Sequence, residues 1–240
     1  LYANIESVDE IFLSRFYQET THLFEGDYGS DVVPGEAGEM EIDEGNESNI
    51  SELLLLIEAA QAPDDIWLDS IAPFVDLTEM TRMWVVEQYI GHWDGYAPTI
   101  NNYFLHSDGN DYFTMLPWGV DQTFSQKRDF YQGKGHLFHR CMGIKECRDQ
   151  YEAALVDLVP VLDELSSVPF VEELAEFLLP WVEADPRREY SEEQVANNVT
   201  STINFLLDRR EQIGELADCL GNPDGDLDGD GYYCQWDCDE

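Results

Sequence analysis

Apolar positions recur at three- and four-residue intervals through most of this chain, and that spacing predicts helices. Ser7-Val8-Asp9-Glu10 opens the first, which carries Ile11, Phe12, Phe16 and Tyr17. Ahead of it, Leu1 to Ile5 reads as a strand. Asn49 to Gln61 forms a short helix with one apolar face, capped by Ser51 or Asn49 and followed by Pro63. Asp76-Leu77-Thr78-Glu79 is a capping box that starts a helix from Leu77 to Ile90. Met80, Met83, Trp84, Val85, Val86, Tyr89 and Ile90 leave that helix apolar over much of its surface, so it belongs in the interior. The same periodicity returns in Lys145 to Leu165, Val168 to Glu183 and Glu192 to Leu216. Pro160 and Pro180 are expected to kink or split the first two of these.

Between the central helix and the helical half the pattern changes. Two short aromatic runs, Tyr103 to Leu105 and Tyr112 to Leu116, flank the turn Ser107-Asp108-Gly109-Asn110 and predict a hairpin. Earlier, Leu23-Phe24-Glu25 leads into the Gly-rich turn from Gly26 to Asp31. Residues 31 to 47 are acidic, Gly-rich and without periodicity, which predicts an exposed, mobile loop. A little sheet, one buried central helix, a ribbon and a helical C-terminal half make an α+β fold.

Composition narrows the partners. The 240 residues, 43% of them hydrophobic, suit one domain (1–218) with a small Cys- and Asp-rich tail (219–240). With 51 acidic residues against 12 basic, the net charge of −39 repels a phosphate backbone and argues against nucleic acid as the default partner. Saline or extracellular surroundings fit such a surface. Half of the basic residues cluster as Lys127, Arg128, Lys134, Arg140, Lys145 and Arg148, either a solvated face or a patch for phosphate or an acidic substrate. Cys141, Cys147, Cys219, Cys234 and Cys238 lack metal-finger spacing; Cys141 and Cys147 bracket a loop short enough to bridge, which favours an oxidising compartment. The longest aliphatic run, Leu53 to Ile57, cannot span a bilayer.

The candidate chemistry lies in Gln88 to Phe124. Asp94 follows the central helix, Asn101 and Asn102 precede the first strand of the hairpin, and Asp121 follows the second. Each residue alone suits a turn. Their order is that of protein kinases: a carboxylate that takes the attacking hydroxyl's proton, an amide oxygen on magnesium, then a metal-binding carboxylate. His92-Trp93-Asp94 echoes the His-Arg-Asp triplet of those enzymes, with a longer spacing from Asp to Asn.

The segments LYANIESVDEIFLSRFY, LFEGDYGSDV, HWDGYAPTINNYFL, MLPWGVDQTF and HLFHRCMGIKECRDQYEAAL resemble the spore-coat protein H (CotH) kinase-like family over Leu1 to Leu155. The resemblance implies an atypical protein-kinase-like fold with a partial N-lobe. It also implies transfer of phosphate from ATP with Mg2+ to Ser or Thr of secreted or surface proteins. By position, Asp94 would be the catalytic Asp, Asn102 or its neighbour Asn101 a magnesium ligand, and Asp121 part of the metal-binding motif. That motif reads Pro-Trp-Asp-x-Asp in the family, and Gly119 stands at its first Asp. A catalytically weak pseudokinase, kept as a surface structural or binding module, is therefore the alternative. No Lys precedes Lys127, so a nucleotide-binding Lys is expected ahead of Leu1.

The tail carries a second candidate. Asp226, Asp228 and Asp230 stand at positions one, three and five of an EF-hand-type calcium loop. Gly231 supplies the turn, the Tyr232 carbonyl serves at position seven, and Asp237 takes the twelfth, where Glu is usual. Three alternating carboxylates repel one another unless Ca2+ neutralises them. Calcium should therefore raise the melting temperature of the protein, and Asp228→Ala should remove that rise. A melting temperature indifferent to calcium refutes the loop.

Overall fold

The computed structural model describes residues 5–46 and 48–221. The calcium-loop candidate and residues 1–4 of the expected first strand lie outside the described residues, and Ile5 belongs to no element. The chain divides into two compact units, Asn4–Tyr151 and Glu152–Glu240 with Leu1–Ala3. The division falls seven residues into a helix that begins at Lys145.

The first unit opens with α1 (Glu10–Phe16). Asp9 caps it, its carboxylate accepting the N–H groups of Ile11 and Phe12 at 3.0 Å each. Leu13 is the buried residue of this helix; it joins Leu23 and Phe104 in a small core against which Phe12, Tyr17, Leu116 and Trp118 pack. Then come β1 (His22–Gly26), β2 (Glu41–Glu44), α2 (Ser51–Ala60), a single 3-10 turn at Asp64–Ile66 and α3 (Trp67–Ile71). The central helix α4 (Leu77–Tyr89) leads through α5 (Tyr96–Thr99) to the hairpin β3 (Tyr103–Ser107) and β4 (Phe113–Pro117), and α6 (His136–Gly143) follows.

The predicted hairpin is half of a four-stranded antiparallel sheet in the order β2-β1-β3-β4. β1 lies against β3 from His22↔Ser107 to Gly26↔Tyr103. Residues 31–46 correct the expectation of an exposed loop: Asp31, Val32, Ala37 and Met40 are buried, and Glu41–Glu44 pair with β1. An edge strand takes its hydrogen bonds from its neighbour, so it needs little apolar periodicity of its own; Ile42, opposite Phe24, is the one large apolar residue of β2.

The capping box of α4 forms, Asp76 Oδ1 accepting the Glu79 N–H at 3.0 Å. Met80, Met83, Trp84, Val85 and Tyr89 are buried as expected, while Val86 is exposed. Trp84 meets Phe138 edge-on at 5.7 Å, Phe138 meets Tyr151 at 5.8 Å, and Tyr96 meets Tyr103 at 4.7 Å, all in the edge-to-face geometry that suits ring quadrupoles. α2 lacks its expected side-chain cap: Ile50 is the N-cap, and Asn49 Oδ1 accepts the Ser51 N–H at 3.3 Å.

Cys141 and Cys147 form the expected disulfide, with Cα atoms 5.0 Å apart, and Cys219 is disulfide-bonded as well. Within the basic cluster, Arg140 binds the carbonyls of Ala60 and Ala62 and the Asp64 carboxylate, and lies over the Trp67 ring. That side chain is a structural tie rather than part of an open anion patch.

The remaining helices are α7 (Lys145–Leu165), α8 (Ser167–Ala184) and α9 (Glu192–Gly221). Pro160 and Pro180 sit inside α7 and α8, and neither helix is split. The carbonyls each proline frees belong to exposed Val156 and Glu176, where water can take the lost partner's place. Among the described residues, no helix is long and apolar enough to cross a membrane.

Asp31 ties the Gly-rich turn to α6. It accepts the Tyr96 hydroxyl at 3.0 Å, the Val32 N–H at 2.7 Å and the His136 N–H at 2.7 Å. Burial raises its carboxyl above the ordinary value of 3.8, against these hydrogen bonds, which lower it. A raised carboxyl contributes most to stability below the ordinary carboxylate range and loses that contribution as pH climbs through its folded value. Asp31→Asn must turn an amide nitrogen toward one of these donors, at a cost of about 1–3 kcal/mol. Urea unfolding at neutral pH should show that deficit, and the deficit should widen as pH falls to about 4.

Candidate active site

α4 ends beside a run of tight turns, and one buried carboxylate sets their path. Glu87, 2% exposed near the end of α4, accepts the N–H of Tyr96 at 3.0 Å and that of Ala97 at 3.1 Å. It thereby satisfies the free donors at the start of α5. Gly95 lies so close that a Cβ there would stand 2.4 Å from Glu87 Oε1, so only glycine fits. Asp94, immediately before, is fixed at the mouth of this turn.

Asp94 and both asparagines come together. Asn101 Nδ2 donates to Asp94 Oδ1 at 3.1 Å. Asn102 Nδ2 donates to the Asp94 carbonyl at 2.8 Å and to Oδ2 at 2.9 Å. The two amides hold the carboxylate in one orientation, and Asn102 Oδ1 is left for another partner. Backbone strain accompanies the arrangement: Ile100 and Asn102 have φ of 60° and 50°. Asn tolerates that region, whereas a β-branched residue is an outlier there.

The segment after β4 closes over Asn102. Trp118 N–H donates to the Asn102 carbonyl at 2.9 Å, and His92 Nε2 donates to the Gly119 carbonyl at 3.2 Å. His92 is fully buried; its Nδ1 makes no hydrogen bond and lies 3.7 Å from Glu87 Oε1. A Cβ at Gly119 would stand 2.6 Å from Asn102 Oδ1, and Gly119 itself has φ of +54°. Asp121 is exposed, two residues further on, and makes no hydrogen bond with Asp94, Asn101 or Asn102. The grouping expected from the sequence is thus met for three of the four residues. His92 also lines a cavity of about 340 Å³ between α4 and β4, walled by Met83, Val86, Ile90, Met115, Leu116 and Val120.

Among the described residues, no three His, Cys, Asp or Glu side chains converge on a point where a metal ion could sit. Magnesium accepts a sparser set, one or two protein oxygens with water and phosphate completing its octahedron. Both hydrogen bonds of the Asn102 amide nitrogen run to Asp94, so Oδ1 is the oxygen of that side chain that could serve as such a ligand. The Asp94 carboxylate is adjacent. Asp121 is exposed on the segment that follows Gly119 and is the remaining carboxylate of the expected set.

A family model described as CotH kinase protein matches residues 1–213. The chain belongs to the CotH kinase family. Comparison with curated proteins finds no match. Membership makes the chain a kinase-like protein. Within this CotH kinase chain, Glu87 and the Asp31–Tyr96 pair were not singled out from the sequence as site supports. Glu87 carried a signal, a lone acid among the mostly apolar buried residues of α4. Asp31 carried none, lying among acids that are mostly solvated.

Gly119 gives a test of this geometry. Gly119→Ala adds left-handed strain and a contact with the Asn102 amide, and should cost roughly 1–3 kcal/mol of stability. Urea unfolding measures it, and an unchanged midpoint would show that the segment lies elsewhere.

Proposed function

We propose that this protein is a secreted atypical protein kinase that transfers phosphate from ATP, with Mg2+, to Ser or Thr of extracellular or surface proteins. The observation that carries this reading is the Asn102 amide, which donates to both the Asp94 carbonyl and its carboxylate and so leaves Oδ1, beside the Gly119 backbone, for another partner. Asp94 is then held to accept the proton of a substrate hydroxyl as its oxygen bonds to the γ-phosphorus. The bond from the γ-phosphorus to the β–γ bridging oxygen breaks, and ADP leaves with that oxygen. Asn102 Oδ1, with Asp121, would hold magnesium, which when bound neutralises charge on the phosphates. Asn101 shares the orientation of Asp94. The disulfide Cys141–Cys147 and the acidic surface favour an oxidising, extracellular setting, and the tail from Asp226 to Asp237 a calcium-binding role.

A second reading has its own observation. Gly119 takes the place of the family's first motif Asp, and its backbone fits against Asn102 with no room for a side chain. This favours a pseudokinase that acts as a surface structural or binding module. Restoring the acid is not a neutral operation here, since Gly119→Asp must displace Asn102 before a carboxylate can serve.

Isothermal titration of the full-length protein with Mg·ATP, and transfer of labelled γ-phosphate to a mixed Ser/Thr peptide pool, separate the two readings. The kinase reading expects magnesium-dependent nucleotide binding, with transfer reduced at least about a hundredfold by Asp94→Asn. Absence of magnesium-dependent nucleotide binding refutes it, and binding without transfer supports the pseudokinase.

A further inference from the structure

Most of the clustered cations have partners. Arg140 is tied to Ala60, Ala62 and Asp64, Lys145 Nζ holds both oxygens of Asp149 at 2.9 and 2.7 Å, and Arg148 donates to the Met142 carbonyl at 3.1 Å. Arg128 and Lys134 differ: among the described residues, neither side chain makes a hydrogen bond or an ion pair. Arg128 is half-buried, and its Nε is enclosed without an acceptor. The adjacent Asp129 is committed elsewhere, its carboxylate accepting the Tyr131 N–H at 2.7 Å and the Gln132 side-chain amide at 3.0 Å. A buried donor without an acceptor costs free energy, and this one belongs to a cation in a chain with 51 acids. An anion from outside the chain would satisfy it.

The segment that carries both cations is bound to the candidate site along its length. His92 Nε2 holds the Gly119 carbonyl, the Phe124 N–H donates to the Ile90 carbonyl at 2.8 Å, and Gln88 Nε2 donates to the Gln132 carbonyl at 2.9 Å. The Lys134 N–H then donates to the Ala97 carbonyl at 2.7 Å. Ile90 stands four residues before Asp94 and Ala97 three after it, so the segment brackets the turn that presents that carboxylate. A planar guanidinium offers paired donors that match phosphate oxygens, and an ammonium adds a point charge. Two cations suit a multiply charged anion, which a polyphosphate is and a single carboxylate is not. We propose that Arg128 and Lys134 hold the phosphate tail of ATP beside Asp94. The proposal rests on the phosphotransfer reading. A net charge of −39 repels polyphosphate in general, so affinity for one has to come from local cations such as these.

Isothermal titration of the full chain with inorganic tripolyphosphate tests it without any need for catalysis. Saturable binding is expected, weakening as salt rises and falling at least about tenfold in Arg128→Gln, less in Lys134→Gln. Arg128→Lys should recover only part of the loss, because an ammonium lacks the paired donors. Lys145→Gln removes the same charge from a partnered, exposed cation and should bind within about twofold of wild type. Since Arg128 Nε has no acceptor in the free chain, Arg128→Gln should melt no lower than wild type. Lys134 is exposed, so Lys134→Gln is an independent second variant. Equal affinity in wild type, Arg128→Gln and Lys134→Gln would overturn the proposal. So would an equal loss in Lys145→Gln, or no binding by wild type. Inorganic phosphate bound as tightly as tripolyphosphate would overturn the assignment to a nucleotide tail in favour of free phosphate. Tripolyphosphate binding that needs Arg128, without transfer from ATP, would leave the anion site standing and refute phosphotransfer alone. Transfer indifferent to Arg128→Gln would leave phosphotransfer standing and overturn this assignment.

Discussion

One carboxylate near the end of α4 fixes the geometry on which the candidate site depends. Glu87 is buried, and a polar group in such a place is tolerated only where hydrogen bonds replace water. The backbone N–H groups of Tyr96 and Ala97 do so, and in the same act they set the start of α5 and the direction in which Asp94 leaves the turn. Buried rings then lock α5 from behind. Tyr96 lies beside Trp84 and Tyr103, and its hydroxyl reaches Asp31. The position of Asp94 is thus inherited from the core rather than from its own loop.

The opposite wall is made by close approach rather than by charge. Asn102 in a left-handed conformation, Gly119 in another and the His92 imidazole between backbone segments leave little slack around the Asn102 amide. Ile100 bears a φ that its branched side chain disfavours, and strain of that kind persists only where the surroundings enforce it. The same tightness that orients Asn102 excludes a side chain at Gly119. Orientation of the amide and the exclusion of a side chain at Gly119 are two aspects of one packing arrangement.

Much of this was legible in the sequence, and the illegible parts share a cause. α1, α4 and the hairpin follow from local signals: Asp9 and Asp76 as caps, apolar spacing, and an Asp-Gly-Asn turn. The order Asp94, Asn101, Asn102 pointed to a grouping because each lies at the end of an element that was itself recognisable. β2 was missed because Glu41 to Glu44 has almost no apolar residue, and its conformation is imposed by β1. Asp31 looked like its solvated neighbours; only the fold places it under Tyr96 and against the start of α6. Pro160 and Pro180 lie within continuous helices, since the cost of a proline depends on whether water can reach the carbonyl it frees.

The acidic edge of the sheet has a consequence for how the molecule behaves in crowded solution. β2 is a terminal strand, and a strand edge is a template onto which another chain can add. Glu41, Asp43 and Glu44 put negative charge along it, a common safeguard against such growth. Burial and the neighbouring acids raise the carboxyls of Asp43 and of Glu25 on the adjoining strand, so these two lose their charge earlier on acidification than an ordinary carboxylate does. Loss of that charge bares the edge to an added strand, so acidification favours strand addition at β2 independently of unfolding.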